Sequence, residues 1–388
     1  MTVTTQREEC TATVSGRLLM SMELGRRQWK LGFTTGVGQR PRQRTLSTDV
    51  RDRLPEEIAA AKLRFRLPAD APVISCYEAG RDGFWIHRYL TSLGVENLVV
   101  DSSSIEVNRR ARRAKTDRMD VEKLLAMLLR YVGGEQTVWR IVHVPSEADE
   151  HRRQLHRELW ALKRDRVRLM NRIAGLLATV GVLLNVDAKF RVRLDRLMQW
   201  NGQPLPEALR VRLAREWQKV ELLSTQINDL ERARRVMLRE SRDDAVALVR
   251  RLLQLRGIGA NAAWLYVMEL FAWRGFRNRR QVGASTGLVG TPYKSGTVDR
   301  EQGISKAGNK RVRTMAVQIA WGWLTYQRES ALTQWYNRRF AHGGPRARKI
   351  GIVAVARRLV IDLWRYLDAG VIPEGAILKT CPMAPSGG

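Results

Sequence analysis

Cysteine is scarce in this sequence. Cys10, Cys76 and Cys381 are the only three in 388 residues, and they lie far apart. That excludes a disulfide framework and a cysteine zinc cluster, and it suits a reducing, cytoplasmic setting. Histidine is nearly as rare: His87, His143, His151, His156 and His342 show no metal-binding spacing. His151 and His156 sit in a polar helical stretch and read as solvated. No uninterrupted apolar run reaches about 18 residues, so no membrane-spanning helix is expected. The first residues carry Arg7 and two acids but no apolar core, so no secretory signal is expected. Acids are outnumbered: 39 Asp and Glu face 68 Lys and Arg, leaving a net charge of +29. Such an imbalance describes partners rather than fold, and nucleic acid is the partner whose phosphates it would neutralise. Apolar residues still make up 44 % of the chain, enough for sizeable cores, and the length predicts two or three domains.

Three regimes follow one another. In the first, Leu18 to Glu23 and Gln28 to Phe33 read as two short strands joined at Gly25 and Arg26. Residues 48–66 have helical spacing. Pro72 to Tyr77 is a buried strand ending at Glu78, residues 82–93 read as a helix, and Val95 to Val100 as a strand. Alternating strands and helices predict an α/β domain over residues 17–145, closed near Pro145. In the second, over 146–245, Leu155, Leu159, Leu162, Leu169, Ile173, Leu176 and Val180 fall on a 4-3 spacing. So do Leu213, Val220, Leu223, Ile227, Leu230 and Met237, with Asn201-Gly202-Gln203-Pro204 between the runs. This predicts an antiparallel coiled-coil-like hairpin that also carries an oligomer contact. The third, over 246–372, reads as mainly helical, with glycine-rich breaks at 257–259, 283–296 and 303–308. Between 250 and 358 it holds 21 Lys and Arg against four Asp and Glu, a net of +17. Residues 373–388 form a tail with little signal.

The informative acids lie in the basic first regime. Arg109, Arg110, Arg112, Arg113, Lys115 and Arg118 crowd together, and Asp117 and Asp120 follow at i and i+3. On a helix the two carboxylates share a face, with Met119, Leu124, Leu125 and Leu128 as its buried side. Paired carboxylates beside phosphate-binding cations suit a Mg²⁺ site for phosphoryl transfer, with Mn²⁺ as a substitute. Glu23 and Glu78, each at a strand end, complete a set of four. First acid on the first strand, second after a later strand, last pair on a helix: this order resembles the RNase H-like, RuvC-type fold. In the third regime, Leu255-Arg256-Gly257-Ile258-Gly259 reads as a helix–hairpin–helix turn whose backbone N–H groups meet phosphate oxygens. Trp321, Trp323, Tyr326, Trp335 and Tyr336 interleave with arginines and read as core rather than as base-stacking platforms.

Together these words carry a resemblance. Tyr77-Glu78-Ala79-Gly80 and Arg113-Ala114-Lys115-Thr116-Asp117-Arg118-Met119-Asp120 are similar to the N-terminal half of the DEDD transposases of insertion sequences. Ala284-Ser285-Thr286-Gly287-Leu288-Val289-Gly290-Thr291-Pro292, Lys294-Ser295-Gly296 and Gly303 through Arg313 are similar to their C-terminal half. The likeness spans residues 18 to 360, with Glu23 standing where the family usually has Asp. It implies a RuvC-like metal domain and a helical domain whose serine attacks a DNA phosphate and forms a covalent phosphoserine link. By matching position that nucleophile is Ser295, activated by the metal site as the two domains close over one phosphate. Ser285 reads as packing and Ser305 as a helix cap. The resemblance also implies DNA partners, a structured guide RNA, a homo-oligomer, and a bacterial cytoplasm close to the nucleoid. Lys294, Lys306, Asn309 and Arg313, with Gly257 and Gly259, are the expected nucleic-acid contacts there. Two alternatives stay open at this point. One is a RuvC-like nuclease using water, which would not need Ser295. The other is a non-catalytic nucleic-acid-binding protein, which would not need the acids.

Overall fold

A computed structural model describes residues 16–81, 83–105, 117–295 and 298–379, with backbone only at 103, 117–118, 292–295 and 298–302. Arg109, Arg110, Arg112, Arg113 and Lys115 lie outside the described residues. The chain divides into two compact units, Met1–Pro145 and Ser146–Gly388.

The first unit is built on a mixed five-stranded sheet. Its strands are β1 (Leu18–Leu24), β2 (Gln28–Thr34), β3 (Arg42–Ser47), β4 (Val73–Glu78) and β5 (Glu96–Val100), in the order β3-β2-β1-β4-β5. β1 to β3 pair antiparallel, whereas β1, β4 and β5 run parallel. Its helices are α1 (Leu54–Arg64), α2 (Trp85–Ser92) and α3 (Asp117–Val132). Strand alternation divides the apolar residues between two faces. Leu18, Met20, Met22 and Tyr77 face a core shared with Leu54, Ile58, Ile86 and Leu90 of α1 and α2. Leu19, Ile74 and Cys76 face the other way, onto Leu124, Leu125 and Leu128 of α3. Each such side chain contributes roughly 1.5–3 kcal/mol by leaving water. Two contacts fix where α3 lies. Ser21 Oγ donates to the Val121 carbonyl at 2.9 Å. Gly32 leaves room for the helix, because a Cβ there would sit 2.5 Å from Val121 Cγ1.

β3 was not legible in the sequence. Its RQRTLS run is an edge strand whose only buried residue is Leu46, so it lacks the alternation that marks its neighbours. Met119 departs from the expected buried side of α3. It is 41 % exposed because Val121, Leu124, Leu125 and Leu128 set the helix phase, and Met119 falls off it.

The second unit is largely helical. It opens with α4 (Glu147–Arg152), α5 (Gln154–Ala178), the short α6 (Phe190–Leu194) and α7 (Glu207–Glu240). Then come α8 (Asp244–Leu253), α9 (Ala260–Tyr266), α10 (Arg279–Thr286), α11 (Lys310–Tyr326), α12 (Ala331–Tyr336) and α13 (Pro345–Ala369). α5 and α7 pack as an antiparallel hairpin, clamped by Lys163–Glu231 at 2.5 Å and Arg172–Glu216 at 3.3 Å. Leu159, Ile173, Leu177, Leu213, Val220 and Ile227 are buried along it. The 4-3 seam is therefore satisfied within the hairpin, with Leu177 buried more deeply than Leu176. α8 to α13 enclose a separate core around Trp264, Tyr266, Trp323 and Leu359.

Of the expected break at 283–296, residues 283–286 are still helical and the remainder opens a hairpin. α10 ends at Gly287 in a left-handed cap. A β-hairpin follows, β6 (Gly290–Ser295) paired with β7 (Val298–Ile304). Gly308, at φ +83, has room for no side chain, because the Ser285 carbonyl lies where its Cβ would be. The glycine-rich segments at 283–287 and 303–308 thus pack backbone against backbone, joined by Lys306 N–H to the Gly287 carbonyl at 3.0 Å.

Candidate functional site

In the first unit three of the four expected acids fall on the face that α3 covers. Met22 pairs with Tyr77, so the next residues, Glu23 and Glu78, stand level at the carboxyl ends of adjacent parallel strands. Both follow the alternation of Leu19, Ile74 and Cys76, which face α3. Glu78 is exposed and Glu23 half-buried. Asp120 is half-buried in the first turn of α3, one residue before the Val121 carbonyl that Ser21 holds. Asp117 is the first residue of that helix. Among the described side chains no three His, Cys, Asp or Glu converge closely enough to hold a metal, and the Asp117 carboxylate lies outside that description.

In the second unit Ser295 is the last residue of β6 and pairs with Val298, so Lys294-Ser295 closes a strand rather than lying in an open loop. The rival serines are placed by their surroundings. Ser285 is half-buried and its Oγ donates to the Val282 carbonyl at 2.7 Å. Ser305 is exposed just after β7 and caps no helix. Asn309 is the N-cap of α11, its side chain accepting from the Arg311 and Val312 N–H groups. Arg313 Nη1 donates to the Lys306 carbonyl at 2.9 Å, so it holds the same turn. Lys306 is exposed.

The Gly257–Gly259 segment joins α8 to α9, and Gly257 adopts φ +87 against Tyr326. The tail has a role here that its sequence did not signal. Arg256 N–H donates to the Ile377 carbonyl at 3.1 Å, and Lys379 Nζ to the Ile258 carbonyl at 3.0 Å. Buried Gln327 ties both segments, its Nε2 donating to the carbonyls of Arg256 at 2.7 Å and Ile377 at 2.9 Å. A groove of about 720 Å³ lies between Arg256, Gly257, Gly259, Tyr326 and Lys379. The aromatic series divides. Trp323 and Tyr336 are core, whereas Trp321 and Tyr326 are 47 % and 53 % exposed. Positions 321 and 323 fall on nearly opposite sides of α11, which the spacing alone did not resolve.

Glu269 and His156 were missed. His156 is buried rather than solvated, and its Nε2 lies 2.9 Å from Glu269 Oε1. Arg157 donates to both Glu269 oxygens at 2.7 and 2.9 Å, and Asn309 Nδ2 to Oε2 at 3.1 Å. One buried carboxylate thus ties the base of the hairpin to the cap of α11. Burial alone would raise the Glu269 carboxyl, but the bonds from His156 and Arg157 outweigh it and hold it well below the usual carboxylate range. With the folded value depressed, its stabilising contribution is present above about pH 4.3 and fades as pH falls through the folded value. Glu269→Ala, which strands Arg157 and His156 without their acceptor, lowers stability by about 3–5 kcal/mol in denaturant unfolding. A change below about 1 kcal/mol would contradict this role. Glu269 stands out in the sequence only as one of four acids in a strongly basic segment.

Comparison with known proteins gives these sites their setting. Residues 249–337 match the family model described as Transposase IS116/IS110/IS902 family. A Sinorhizobium fredii protein named as a transposase, y4rJ, is 41 % identical over 383 residues, 94 % of this chain and 95 % of that protein. The transposase for insertion sequence element IS1328 of Yersinia enterocolitica is 28 % identical over 269 residues, 69 % of this chain and 76 % of that one. These similarities are all to enzymes of DNA transposition. The chain belongs to the IS116/IS110/IS902 transposase family. No helix among the described residues is long and apolar enough to cross a membrane.

Proposed function

We propose that this transposase cuts and rejoins DNA by attack of the Ser295 hydroxyl on a phosphodiester, assisted by a Mg²⁺ site on an RNase H-like domain. The metal half is supported by Glu23 and Glu78 standing level at the ends of adjacent strands on the face that α3 covers, with Asp117 and Asp120 in the first turn of that helix; the described carboxylates do not converge on one ion by themselves. Four carboxylates from β1, β4 and α3 are the hard oxygen donors that Mg²⁺ prefers. Bound there, the ion would stabilise charge on the transferring phosphoryl group. The acids' order, first strand, later strand, helix, supports the RuvC-type reading.

In the serine step the Ser295 oxygen forms a bond to phosphorus. The DNA P–O bond breaks, and the departing DNA oxygen takes up a proton as a free hydroxyl. A hydroxyl of the second DNA strand then attacks the phosphoserine, which reseals the DNA and frees the serine. No external energy is needed, since one phosphoester replaces another. The reading rests on the family's C-terminal words around Ser295, and on Ser285 being engaged inside its own helix. An SDS-stable protein–DNA adduct formed with element-end DNA tests it, and a gel with cleaved DNA but no adduct overturns it.

Exposed Tyr326, which shares a groove with Arg256 and Lys379, and exposed Trp321 on the same helix support an RNA contact as well as a DNA one. Leu183, Val192, Met198 and Trp200, exposed around the loop end of the hairpin, support association between copies. Glu23→Asp retains cleavage, because the carboxylate remains and the family usually has Asp there. Glu23→Gln loses it. Equal cleavage rates for Glu23→Gln and the unaltered protein would remove Glu23 from the site.

A further inference from the structure

We infer that Lys30 and Thr45 form an anion-binding shelf that seats the phosphodiester backbone of the substrate strand beside the acids. This rests on the metal-site reading above and adds residues to it.

Strand register sets out the shelf. Thr45 pairs with Lys30, Lys30 pairs with Glu23, and Glu23 stands level with Glu78. The four residues therefore form one row across β3, β2, β1 and β4, on the face that α3 partly covers. At about 4.8 Å between neighbouring strands the row is about 14 Å long. Two acids fill one half and a cation with a hydroxyl fills the other. An open cavity of about 520 Å³ lies over that second half, lined by Lys30, Leu31, Gln43, Arg44, Thr45 and Val121. Val121 is the residue after Asp120, so the cavity adjoins the start of α3. Gln43 walls it, its Nε2 donating to Glu122 Oε1 at 2.6 Å.

The two cations of β3 have their guanidinium groups committed elsewhere. Arg42 and Arg44 point to the opposite face and pair with Glu57 of α1 at 2.9 and 3.0 Å. Lys30 is half-buried and has no ion-pair partner among the described residues. A cation held in place, partly shielded from water and flush with the acids binds an anion that the acids alone would repel. A nucleic-acid strand fits the elongated shape of the row and the charge of the half that Lys30 occupies. Lys30 is on this argument a positioning residue: it holds the strand and does not touch the reacting atoms.

The test reads Lys30 directly, without metal. The full-length protein is treated with an amine-acetylating reagent in EDTA, with and without a short single-stranded DNA oligonucleotide, and acetylation is mapped by mass spectrometry. Lys30 is protected by the DNA, whereas Lys62, on α1 behind the sheet and bonded to the Ala69 carbonyl, is not. Repeating it with an RNA oligonucleotide tells whether the shelf discriminates the sugar; protection by DNA supports the proposal, and protection by RNA alone overturns its assignment to the substrate strand. Unchanged Lys30 acetylation with both overturns it. In the cleavage assay Lys30→Ala raises KM about tenfold, an effect falling on KM rather than kcat, and Lys30→Arg restores it. A loss confined to kcat would mean that Lys30 serves the acids and not the strand, which overturns the proposal. Asp120→Asn separates the two readings. If Asp120→Asn cleaves normally while Lys30 is still protected, the metal reading fails and the strand shelf stands.

Discussion

Asp117→Ala and Asp120→Ala each abolish strand cleavage while nucleic-acid binding survives. Cleavage in this account depends on four carboxylates, two of which these changes remove in turn. A metal ion contributes several kcal/mol to phosphoryl transfer, so the rate falls by about a thousandfold or more. Binding draws on 68 Lys and Arg, of which neither change touches any. The fold survives too. Both residues lie in the first turn of α3, where an aspartate gains about 0.3–1 kcal/mol from the helix dipole. The helix itself is held by Val121, Leu124, Leu125 and Leu128. Cleavage of labelled DNA with Mg²⁺, beside filter binding of the same DNA, checks both halves. Either variant cleaving at near the unaltered rate would remove the metal site from these acids.

Much of the first unit was legible because its strands obey simple rules. Leu18–Leu24 and Val73–Glu78 are apolar runs, and each holds its acid at or next to the carboxyl end. β3 escaped because an edge strand needs only one buried residue, and Leu46 alone cannot mark a period. The hairpin announced itself by its 4-3 spacing. The β6–β7 hairpin did not, since Gly290–Ser295 and Val298–Ile304 are short, polar and rich in glycine and charge. The places of the four acids were legible because Glu23 and Glu78 lie at or next to strand ends and Asp117 and Asp120 in the first turn of a helix. The register that sets Lys30 beside Glu23 was not, because strand pairing is a tertiary fact. The buried hub on Glu269 was hidden for the same reason, with its partners 112 and 113 residues away in the chain. Asn309, expected among the nucleic-acid contacts, also caps α11 and binds Glu269, so a loss on its substitution would combine structure with recognition.

Ser295→Ala binds its DNA normally and forms no covalent adduct. The substitution removes one oxygen at the end of β6 and leaves the strand pairing with Val298 to the backbone. If that oxygen is the attacking atom, adduct formation falls below detection rather than by a modest factor, because no neighbouring group replaces a missing nucleophile. Ser285→Ala, by contrast, loses only a hydrogen bond to the Val282 carbonyl, about 1 kcal/mol of stability. Ser305→Ala removes an exposed hydroxyl that caps no helix. The decisive measurement is peptide mapping of the protein-linked nucleotide after reaction with an end-labelled element DNA and denaturation. The account predicts the label on the peptide that contains Ser295 and no labelled peptide from Ser295→Ala. Label on Ser285, Ser305 or a tyrosine would contradict the assignment. Cleavage to free 3′-hydroxyl and 5′-phosphate ends without any adduct, undiminished in Ser295→Ala, would contradict the serine mechanism itself.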